Sequence, residues 1–84
     1  MDAYYFTFHS MTQAQMAAAI LRRHGLSADL VRAPKSISVA GCGNALQLKP
    51  SDGYNGLFIL RNDGASPRKI FRTDRVGNAR EVFL

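Results

Sequence analysis

Cys42 is the only cysteine in this 84-residue chain, and it stands between Gly41 and Gly43 in residues 36–43, SISVAGCG. A lone thiol has two ordinary fates. It fills space as a small hydrophobe, as most free cysteines do, or its thiolate acts as a nucleophile. Composition alone favours the first fate, but the flanking glycines would serve the second, because they remove neighbouring bulk and let the backbone turn its N–H groups toward an anion. A free cysteine titrates at about 8.5, so at neutral pH a positive helix end or a nearby cation must lower that value to give a useful thiolate. Lys35, His9 and Ser10 are the groups that could support such a thiolate. Each also has a plainer role, as a solvated loop lysine, a strand-end histidine and a helix cap. His9, His24 and Cys42 show no metal-ligand spacing, so neither a metal nor a cofactor is expected.

A second kind of chemistry is carried by charge. The net charge is +5, the sequence pI is near 10.0, and more than half of the basic residues lie from Arg61 onward. Arg68, Lys69, Arg72 and Arg75 form the candidate basic patch, which would suit RNA or an acidic protein surface. A solubilising surface is the plainer reading. No basic run is continuous and no aromatic-basic nucleic-acid motif is present, so nucleic acid is not the expected partner.

The elements that must position these residues can be read from periodicity. Residues 3–9, AYYFTFH, are aromatic and β-rich, with Tyr4, Phe6 and Phe8 on one face and Tyr5 and Thr7 on the other. Ser10 and Gln13 form a capping box that opens a helix over residues 11–24. In that helix Met16 with Ile20, and Ala17 with Leu21, make an apolar stripe. Arg22, Arg23 and His24 suit its negative end, and Gly25 supplies a left-handed stop. Residues 28–33 and 44–49 read as strands, with the Cys42 loop between them. Pro50, Ser51 and Asp52 signal a short helix on which Tyr54, Leu57, Phe58 and Arg61 fit one face. Gly53 and Gly56 oppose that helix by roughly 1 kcal/mol each, and LFIL as a strand is the rival. Residues 68–73 give a fourth strand, and AREVFL at the end either adds a short strand or packs loosely.

The order β-α-β-β-α-β predicts an α+β, ferredoxin-like two-layer sandwich. One domain over residues 1–84 is expected, with a core at about residues 3–73 and an extension over 74–84. In this topology the first two strands run in the same direction. His9, Ser10 and the start of the first helix are thus expected at the same end of the sheet as Cys42. A single cysteine excludes an internal disulfide. No apolar run approaches the roughly 20 residues needed to span a bilayer, and the first residues lack a secretion signal, which predicts a cytoplasmic protein.

The first half has an aromatic strand ending at Phe8-His9-Ser10 and a helix running to Gly25, then Pro34-Lys35, the pair Ile37-Ser38, and Cys42-Gly43 ahead of an apolar strand. In this order and spacing it resembles the selenium/sulfur carrier protein-like family of small bacterial proteins. The resemblance covers the chain through residue 49, whereas the glycine- and arginine-rich second half departs from the pattern. It implies a chalcogen carried on Cys42 as a persulfide or selenopersulfide, received from a desulfurase-type donor and given to an acceptor protein. It also implies a basic residue at position 35. A protein of that kind transfers without a turnover reaction of its own. Sulfur and selenium would use the same thiolate.

Overall fold

The computed structural model describes residues 2–34, 37 and 43–84. Its elements are β1 (Ala3–Thr7), α1 (Met11–Arg23), β2 (Ala28–Arg32), β3 (Asn44–Leu48), a 3₁₀ turn (Pro50–Asp52), α2 (Gly53–Asn62), β4 (Lys69–Thr73) and β5 (Ala79–Val82). The strands form one sheet in the order β2-β3-β1-β4-β5, with every neighbouring pair antiparallel. This is the α+β two-layer arrangement expected, a ferredoxin-like strand order with one strand added beyond β4. The closing residues AREVFL supply that addition, since Ala79–Val82 pairs along β4. Both β1 and β2 are antiparallel to β3, so they are parallel to one another and lie on either side of it.

β1 is the middle strand of the five, and all five of its residues are buried. Its alternation serves two cores. Tyr4, Phe6 and Phe8 meet Leu21, Leu46, Leu48 and Leu60 between sheet and helices, while Tyr5 and Ala3 face Ala45, Phe71 and Ile37 on the opposite face. Fully burying one large apolar side chain stabilises by about 1.5–3 kcal/mol, so the aromatic face of this strand anchors the helical layer.

α1 opens as its sequence requires. Ser10 has extended backbone (φ −147°, ψ 161°) and its Oγ accepts from Gln13 N at 3.2 Å, while Gln13 Oε1 accepts from His9 N at 3.2 Å. Gly25, with φ +83°, takes the left-handed conformation past the helix end. Arg22 reaches beyond that end and donates from Nε and Nη2 to Ala28 O, tying the helix to β2.

The buried stripes differ from the expected ones. On α1 the packed residues are Ala14, Ala17, Ala18, Ile20 and Leu21, and Met16 is 58% exposed. Alanines let this helix lie close to the sheet, and a methionine is not needed to fill the gap. On α2 the helix reading holds over the rival strand, but Tyr54 and Phe58 face solvent. Gly53, Gly56, Leu57, Ile59 and Leu60 turn inward instead. The glycines counted against this helix are the residues that let it approach the sheet. A Cβ on Gly53 would strike the Tyr4 ring, and one on Gly56 would come within 2.7 Å of Leu48 Cδ2. Strand ends also fall slightly earlier than the sequence suggests: β1 stops at Thr7, β2 at Arg32 and β3 at Leu48.

Candidate functional site

The registers bring several of the expected residues to one end of the sheet. Thr7, the last residue of β1, pairs with Ala45 and with Lys69, and Arg32 pairs with Asn44. The turn through His9 and Ser10, the start of β3 and the start of β4 therefore share that end. Cys42, Gly41 and Lys35 lie outside the described residues. Gly43, to which Cys42 is covalently joined, is described.

Gly43 closes a neck. Its carbonyl accepts from Ala33 N at 3.0 Å, one step beyond the last paired residues Arg32 and Asn44. Its φ is +73°, a left-handed value that any side chain would strain. Asn44 then donates from Nδ2 to Met11 Sδ at 3.9 Å, joining the first residue of β3 to the first turn of α1. That turn contains no acidic residue, so nothing in it offsets the positive end of the helix dipole. His9 is exposed, and Ser10 is occupied as the helix cap.

Within the intervening segment, Ile37 is the residue that sequence reasoning used only as a motif position. It is 5% exposed and packs with Ala3, Tyr5, Ala45 and Phe71 on the face of the sheet away from the helices. Its N–H donates to Pro34 O at 2.9 Å. An isoleucine among small and polar residues was the available signal.

The four basic candidates are spread out. Arg68 precedes β4 and donates its backbone N–H to Thr7 O at 2.7 Å. Lys69 faces Glu81, with Nζ 3.8 Å from its carboxylate. Arg72 is on the opposite face of β4 by alternation. Its Nε and Nη2 donate to Asp2, its Nη1 donates to Tyr4 Oη at 3.1 Å, and its guanidinium lies 4.8 Å from the Tyr4 ring centre. The hydrogen bond to Asp2, followed by that to Tyr4, raises the Arg72 pKa above its ordinary value. Arg75 sits in the β4–β5 turn, at the far end of the strand from Arg68.

That turn is organised by Asp74. Its Oδ1 accepts from Val76 N at 2.9 Å and from Asn78 N at 3.0 Å. The Asn78 backbone bond, helped by the amides of Val76 and Gly77, holds the carboxyl below its usual range. The folded protein thus binds this proton less readily than the unfolded chain. The turn's contribution is complete above the ordinary carboxylate value and is lost as pH falls below it, through the lowered value of the folded state. The melting temperature of the wild type is expected to drop faster on acidification than that of Asp74→Asn. Parallel melting curves from neutral to acid pH would remove this role.

Among the described residues, no three His, Cys, Asp or Glu side chains come together as a metal-binding group. No helix there is long and apolar enough to cross a membrane.

Comparison with curated proteins and with solved structures gave no significant match. A family model does match, the one described as "Putative Se/S carrier protein-like", over residues 3–72. The match runs past the first half on which the resemblance rested, through α2 and into β4 as far as Arg72. It takes in the β1–α1–β2 unit, the Cys42 segment and every strand but the last, so the chain belongs to the Putative Se/S carrier protein-like family.

Proposed function

We propose that this protein carries sulfur or selenium on Cys42 between a donor and an acceptor protein. The observation that carries the reading is the family match across residues 3–72, which includes the chain's only cysteine. The described neighbours support it. Gly43 adopts a backbone that only glycine takes freely, and its neck stands at the same sheet end as the positive terminus of α1. A Cys42 thiolate brought within about one turn of that terminus would be stabilised by the helix dipole.

The chemistry needs no added oxidant. The Cys42 thiolate attacks the outer sulfur of a persulfide on a desulfurase-type donor. A new S–S bond forms on Cys42, the donor's S–S bond breaks, and the donor's cysteine leaves as a thiolate. The same exchange with an acceptor thiol passes the chalcogen on. With no second cysteine in the chain, the outer sulfur goes directly to the acceptor and not into an internal disulfide.

Incubation with a cysteine desulfurase and cysteine is expected to add the mass of one sulfur atom, which then moves to an acceptor protein. Cys42→Ser should take up none while melting like the wild type. Alkylation of native Cys42 at neutral pH should outpace that of an unstructured peptide thiol. A thiol that reacts only in denaturant would make Cys42 core filling and end the carrier reading.

A further inference from the structure

At the other end of the sheet, Arg72, Arg75 and Arg80 line an open cleft of about 450 Å³ with Asp2, Asp74 and Asn78. Arg75 and Arg80 fall beyond the residues matched by the family model, so this cleft is not explained by the carrier reading. Its two carboxylates are already engaged. Asp2 accepts a forked pair of bonds from Arg72, and Asp74 accepts from the amides of its own turn. Arg75 and Arg80 have no carboxylate at ion-pair distance among the described residues.

The ladder adds a second observation. Arg80 stands directly opposite Arg72 on the β4–β5 pair. Like charges in that position repel, and Asp2 is committed to only one of the two. An anion between them would remove the repulsion. Guanidinium groups make forked, charge-assisted hydrogen bonds to phosphate oxygens, and two free guanidiniums match the charge of a phosphate monoester. A polynucleotide fits less well, because Arg68 and Lys69, which would have to continue the track, belong to the opposite end of β4.

We propose that this cleft binds a phosphate group, with Arg75 and Arg80 donating to its oxygens and Arg72 held by Asp2 and Tyr4 as the rigid wall. The phosphate comes free or on a small organic molecule. Titration of the full chain with inorganic phosphate and with adenosine 5′-monophosphate, followed by backbone amide NMR, tests it. Saturable shifts should cluster at residues 72–80. The double variant Arg75→Gln, Arg80→Gln should bind at least about tenfold more weakly, while Arg23→Gln, on α1, binds as the wild type does. Tighter binding of the nucleotide would support a phosphorylated small molecule, and equal binding would support free phosphate. The proposal is overturned by unsaturable shifts, by unchanged affinity in the double variant, or by an equal loss in Arg23→Gln. It is also overturned if a polyglutamate peptide or single-stranded RNA occupies residues 72–80 while both phosphates leave them unmoved.

Discussion

Ile37→Ala is expected to cost about 2–5 kcal/mol, the range for truncating a buried branched aliphatic side chain. Most loop positions tolerate such a change to within about 0.5 kcal/mol. This one should not, because Ile37 is buried among Ala3, Tyr5, Ala45 and Phe71, and truncating it would leave a cavity between the two aromatic rings and the alanines. The effect should have a second part. Ile37 lies in sequence between Pro34 and the Gly43 neck, five residues before Cys42, and is the one residue of 35–42 that is described. If Ile37 positions the thiol of the proposed carrier site, its loss should bring the Cys42 alkylation rate closer to that of a peptide thiol, while the β2–β3 amides keep their exchange protection. Urea unfolding gives the first quantity and a timed alkylation the second. A loss below about 0.5 kcal/mol with an unaltered alkylation rate would show that Ile37 neither supports the core nor positions Cys42.

Gly53→Ala should destabilise the protein by about 1–3 kcal/mol, the usual cost of overpacking. Helix propensity alone argues for the opposite sign, a gain of roughly 1 kcal/mol from removing a helical glycine. Packing wins here because the added methyl meets the flat of the Tyr4 ring. That ring has little freedom to withdraw, since Arg72 lies over it and donates to its hydroxyl. Gly56→Ala is a built-in comparison. Its methyl would come too close to a single terminal atom, Leu48 Cδ2 at 2.7 Å, and not to the face of a ring, so the loss there should be smaller. Thermal or urea denaturation of the two variants reads both. A Gly53→Ala protein more stable than the wild type would mean that α2 has room to lift from the sheet.

The same residues show how far sequence reasoning reaches. Local signals were legible wherever one short stretch decides the outcome. Ser10 and Gln13 set the start of α1, Gly25 ended it, and the alternation of Tyr4, Phe6 and Phe8 identified the inward face of β1. Signals set by a distant partner were not. Met16 and Phe58 look like core residues on a helical wheel, yet helix–sheet spacing is fixed by Ala14, Ala17, Gly53 and Gly56, which admit a close approach and leave the larger side chains outside. The basic candidates met the same limit. A linear run groups Arg68, Lys69, Arg72 and Arg75, but strand alternation and cross-strand register pair Arg72 with Arg80, which lies across the turn. As for the candidate site, the cysteine and its glycines are conspicuous in the sequence. The contact of Asn44 with Met11 and the burial of Ile37 depend on strand pairing across the sheet.

The pairing of Thr7 with Ala45 at one end of β1, and of Ala3 with Thr73 at the other, separates two surfaces by the length of a strand. Five extended residues span about 16 Å. A small anion in the proposed Arg72–Arg80 cleft would leave the Gly43 neck uncovered. A docked protein is another matter, since a standard interface of about 800 Å² per partner is wider than this strand is long. A partner at the neck that reaches past β1 would compete with the anion, and one confined to its own end would not.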